Sequence, residues 1–86
     1  MEINKILKER GKTHGKFEDN AWLVQKFKEL FRGSPNWYNL SSVQRESLDL
    51  VALKISRILS GDPNHIDNWH DAQGYLKLAE ESLKDE

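Results

Sequence analysis

The stretch Leu50–Leu59, LVALKISRIL, allows few folds. At about 100° per residue it is apolar on two sides of a helix. Leu48, Val51, Ile55, Ile58 and Leu59 make one stripe, and Leu50 and Leu53 share a second with Glu46 and Arg57. Such a helix must be covered twice, by neighbours in its own chain or by a second subunit. Lys54 and Arg57 stand inside the run, so the base of each side chain must be buried. A cation in an apolar setting is costly unless it is paired and hydrogen-bonded. The segment is therefore expected to be the central helix of a bundle, with anions facing it.

Two breaks frame this helix, RGSPNW at Arg32–Trp37 and SGDPN at Ser60–Asn64. Gly33 followed by Pro35 is a helix stop, and Gly61-Asp62-Pro63 is a stop followed by a start, with Asp62 as N-cap and Pro63 as the first helical residue. Ser41 with Gln44 three residues on is a capping-box signal. Before the first break, Phe17, Ala21, Val24, Phe27 and Phe31 keep helical spacing; after the second, Trp69, Ala72, Leu76, Ala79 and Leu83 do the same. Ile3, Ile6 and Leu7 share one side of a shorter segment expected to end at Gly11. No window alternates apolar and polar residues in the manner of a strand. The expectation is a small all-α antiparallel helical bundle: three main helices near 16–32, 42–60 and 63–84, preceded by a short one over 2–10.

Eighty-six residues suit one domain, and a chain of this size buries only about 60–65% of the surface its unfolded form exposes. There is no cysteine, which excludes disulfides, thiolate zinc sites and a cysteine nucleophile. No apolar run approaches the ~20 residues of a membrane span, and the first residues lack a signal-peptide pattern, so a cytoplasmic location is expected. Residues 1–33 carry a balance of +3 and residues 61–86 one of −5. Near-neutral charge overall argues against nucleic acid as a partner. The opposed ends suggest that the two ends of one chain, or of two chains, pack together.

The acidic end supplies anions at a suitable place. Asp67, Asp71, Gly74, Tyr75 and Leu78 share one face of the last helix. A short connection brings the start of that helix beside the end of the middle one, so Lys54 and Arg57 should meet Asp67 and Asp71. Two readings follow. A structural salt-bridge network accounts for all four charges, and a carboxylate in a first helical turn is favoured by the helix dipole alone. Alternatively the cluster lines a pocket for a phosphorylated ligand. Lys54 and Arg57 would then contact phosphate, Tyr75 would stack or donate its hydroxyl, and Asp67 and Asp71 would hold Mg²⁺. His65 and His70 lie on different sides of the helix and do not read as a zinc site. His14, before Gly15, reads as a helix-entry device or as a further phosphate-side group. Trp22, Trp37 and Trp69 read as core or bundle-edge anchors.

Three segments together, R-x-x-x-H-G-x-F-x-x-N at Arg10–Asn20, L-K-I-S-R-I-L-S-G-D-P at Leu53–Pro63 and D-x-W-x-D-x-x-G-Y-x-x-L at Asp67–Leu78, cover most of the chain. In that order they resemble a small bacteriophage and prophage domain of unknown function, itself similar to the MazG-like all-α nucleoside triphosphate pyrophosphohydrolases. The resemblance implies a helical, usually oligomeric protein directed at nucleotides, with Mg²⁺ held by acidic residues. Asp67 and Asp71 would correspond to the acidic pair of the later helix, spaced D-x-x-x-D rather than E-x-x-D. The earlier E-x-x-E is absent, and Glu46 and Asp49 are its nearest substitutes, with Glu18 a further acid. The expected function is nucleotide binding, with or without Mg²⁺-dependent turnover. The alternative is a non-enzymatic helical module that binds a host or viral protein. The second apolar stripe favours a homodimer burying residues near Leu50 and Leu53.

Overall fold

A computed structural model describes residues 2–84. Its four α-helices are α1 (Ile3–His14), α2 (Phe17–Arg32), α3 (Ser42–Ser60) and α4 (Ile66–Leu83), with a single 3-10 turn at Trp37–Asn39 between α2 and α3. There is no strand among the described residues. The middle helix spans the expected residues because its start is fixed chemically. The Ser41 hydroxyl accepts from the Gln44 amide at 3.1 Å, and the Gln44 side chain accepts from the Ser41 amide at 2.8 Å. This reciprocal cap satisfies two amides that the helix itself leaves free.

Two boundaries differ from expectation. The first helix passes through Gly11 to His14, and the Gly15 amide closes it by donating to the Gly11 carbonyl at 3.0 Å. Glycine lowers helix propensity by only about 1 kcal/mol, which tertiary contacts override. The last helix starts at Ile66 with His65 as N-cap, not at Pro63. The Asp62 carboxylate accepts from the Asn64 amide at 2.9 Å, and the Asp62 amide is held by the Thr13 carbonyl at 2.9 Å. Asp62 is thus committed to a turn and to a neighbouring segment before it could cap a helix.

Helix α3 is the centre. It packs most extensively on α4, then on α2, and lightly on α1. The connection from α2 is fastened by Trp37, which is buried, stacks on Phe31 at 5.6 Å and lies under the Arg32 guanidinium at 4.7 Å. Arg32 also forms a two-pronged pair with Asp49, at 3.0 and 3.4 Å. Arg45 donates to the Trp37 and Tyr38 carbonyls, so the loop is held from three sides.

The interior is polar to an unusual degree. Trp37 and Ala52 are the buried apolar side chains among the described residues, alongside Asn20, Ser47, Lys54, Ser56 and Asn68. Many large apolar groups stay exposed, including Phe17, Trp22, Ile66 and Trp69. The molecule is elongated, 47 × 25 × 25 Å, with a radius of gyration of 14.7 Å against about 12 Å for a compact chain of this length.

Candidate functional site

The α1–α2 turn and the α3–α4 turn are locked together by backbone. Gly15 has φ 83° and ψ −179°, a conformation essentially restricted to glycine. A Cβ there would collide with the Ser60 carbonyl, and a Cβ on Gly61 would collide with the Thr13 carbonyl. The Asp62–Thr13 hydrogen bond closes the joint. Asn20, in the first turn of α2, completes it. Its side-chain nitrogen donates to the carbonyls of His14 at 2.6 Å and Lys16 at 3.1 Å, on either side of Gly15. Its oxygen lies 2.7 Å from the Ser56 hydroxyl on α3, whose one proton is shared between it and the Leu53 carbonyl. This explains the H-G-x-F-x-x-N and S-G-D-P patterns physically: each glycine makes room for the other turn, and Asn20 ties three segments together.

The joint places the cations. Lys54 is buried on α3 and pairs with Asp71 of α4 at 3.1 Å, the contact expected from the sequence. Asp67 does not join it; it lies 3.6 Å from His65 Nε2. Glu46 is exposed and forms no ion pair among the described residues. No three His, Asp or Glu side chains among the described residues converge in the manner of a metal site. Tyr75 is half-buried near Arg57.

A cleft of about 790 Å³ opens between α1, the start of α2 and the Leu53–Arg57 side of α3. Leu7, Phe17, Ala21, Val24 and Leu53 form its apolar wall, and Arg10, His14 and Arg57 are on its polar side. Lys8 and Lys16 add positive charge at its margin, and Glu18 is the sole acidic side chain on the lining. Of the groups expected to contact phosphate, the cleft gathers His14 and Arg57; Lys54 and Tyr75 lie outside its lining.

The electrostatics are unbalanced toward the positive. Neither Arg10 nor Arg57 makes an ion pair among the described residues. Desolvation, and then the neighbouring Arg10, lower the pKa of Arg57, with Asp71 and Tyr75 opposing the shift. The guanidinium nevertheless stays charged near neutrality. His14 is also lowered, first by desolvation and then by Arg57 and Arg10. Its Nδ1 is buried without a hydrogen-bond partner among the described residues, and its ring meets that of His65 edge-on at 6.1 Å. Arg10 and Asn20 were not expected as site residues, although both are fixed positions of the Arg10–Asn20 pattern; the regular spacing of that pattern was the available signal.

Residues 2–83 match the family model described as a domain of unknown function, DUF6378. No curated protein and no solved structure shows significant similarity to the chain.

Proposed function

The chain belongs to the DUF6378 family, and on that premise we propose that it binds a phosphorylated ligand of the nucleotide class in the cleft between α1, α2 and α3. The observation that carries this reading is the pair Arg10 and Arg57, two guanidinium groups beside an apolar wall and without an ion pair among the described residues. Cations held close together raise each other's energy, and a ligand that brings negative charge relieves it. Guanidinium forks suit phosphate oxygens, and Leu7, Phe17, Val24 and Leu53 offer a dry surface for a base or sugar. The volume lies within the usual range of ligand pockets, about 300–1,000 Å³.

The resemblance to MazG-like proteins supports the nucleotide class, and a small phage or prophage protein of antiparallel bundle form is the setting it implies. Turnover is the weaker part. Hydrolysis assisted by Mg²⁺ needs several oxygen ligands and a positioned base. Asp71 is engaged by Lys54, Asp67 lies beside His65, and no three acidic or imidazole side chains converge among the described residues. Binding without hydrolysis is therefore the reading we favour, with any Mg²⁺ arriving on the nucleotide's own phosphates.

Thermal unfolding with a panel of ribo- and deoxynucleotides, with and without Mg²⁺, tests this directly. A ligand at about 100 times its Kd adds ~2.7 kcal/mol and should raise the midpoint by several degrees. Arg57→Ala should abolish the shift while the far-ultraviolet circular dichroism is retained. No shift with any nucleotide or with inorganic pyrophosphate would end the proposal, and pyrophosphate release in the same samples would restore the enzymatic reading.

A further inference from the structure

The α4 stripe Trp69, Leu76 and Leu83 repeats every seven residues, a spacing that keeps the three side chains within about 40° of one another. They remain 52, 48 and 56% exposed. On α3, Ile55 and Leu59 are likewise uncovered. The molecule exposes 6499 Å², against about 5,200 Å² expected for a compact monomer of 10.0 kDa. The excess, about 1,300 Å² over the whole molecule, is more than the ~800 Å² that each partner contributes to a standard stable interface.

We propose that the chain forms a two-fold homodimer through this α3–α4 face. A small chain with so few buried apolar side chains is of the kind that oligomerisation completes. The shallow depression around Leu76 is bordered by Gln73, Lys77 and Glu80, which carry both signs of charge. A two-fold contact meets its own copy, so mixed signs are self-complementary where a single sign would repel. Leu53 and Arg57 lie about 160° around α3 from Ile55, so the dimer leaves the nucleotide cleft open. The surface also differs from the Leu50–Leu53 face expected from the sequence, since Leu53 belongs to the cleft wall.

Sedimentation equilibrium of the full chain, over about a hundredfold range of concentration, reads the outcome. The expected mass is twice 10.0 kDa at the upper end, with a melting temperature that rises with concentration. Leu76→Asp should reduce the mass to that of one chain. Leu83→Asp, near the helix end where a failure to fold is least expected, should weaken association in the same direction. Leu78→Asp, on an exposed leucine about 160° away around α4, should leave the dimer intact. A wild-type protein that stays at single-chain mass throughout would overturn the proposal. So would a dimer that survives Leu76→Asp and Leu83→Asp, or one that Leu78→Asp disrupts instead.

Discussion

Replacing Gly15 with alanine isolates the joint between the two turns. The backbone at φ 83° and ψ −179° costs a residue with a Cβ about 1–3 kcal/mol. The new methyl would also meet the Ser60 backbone, which cannot swing aside as a side-chain tip can. Moving the turns apart endangers the Asp62–Thr13 hydrogen bond, for about 1 kcal/mol more. The sum is about 2–4 kcal/mol, a large part of the ~4–13 kcal/mol available to a domain of this length. At about 4–8 °C per kcal/mol the midpoint should fall by about 8–30 °C. Urea titration followed at 222 nm, with thermal melts beside it, measures this at fixed protein concentration. Gly74→Ala provides the contrast, because a Cβ there meets nothing within 4 Å inside a helix, and it should stabilise by about 0.5–1 kcal/mol. A Gly15→Ala protein within about 0.5 kcal/mol of wild type would show that the turns do not bear on each other as described.

The buried Lys54 and its half-exposed partner predict an asymmetry. Asp71→Ala should cost about 1–2 kcal/mol by leaving the ammonium unpaired, whereas Lys54→Met should stay within about 1 kcal/mol of wild type; denaturant titrations giving the reverse order would refute this. His14 predicts a pH dependence: its folded pKa lies below the unfolded 6.5, so the unfolded chain takes up the proton first. Its contribution is complete above pH 6.5 and is lost as the pH falls from there toward the lowered value, so His14→Gln should flatten the stability profile in that window. Asn20→Ala should cost about 2 kcal/mol, because it leaves the His14 and Lys16 carbonyls and Ser56 without their shared partner; a neutral result in the same titration would remove Asn20 from the joint.

Local chemistry made part of this structure legible in the sequence. The cap at Ser41 and Gln44 and the limits of α3 follow from residues three apart, and the Lys54–Asp71 pair from an ammonium that could not remain alone in LVALKISRIL. The exposure of Trp69, Leu76 and Leu83 was not readable, because periodicity reports which residues share a face and not whether anything covers it. The Gly15–Gly61 contact was equally hidden: Gly15 read as part of a helix entry and Gly61 as a helix stop, and nothing in local spacing says that the two will meet across 46 residues of chain.

The hydrophilic interior also bears on how this protein meets changes of temperature. Unfolding a typical domain raises the heat capacity by about 12–15 cal/mol/K per residue, chiefly through newly wetted hydrocarbon. A single copy that keeps Asn20, Lys54, Ser56 and Asn68 inside and its leucines outside should fall below that range, so its stability curve should be broad and shallow, with little loss on chilling. Pairing of two copies would restore the missing increment and sharpen the curve.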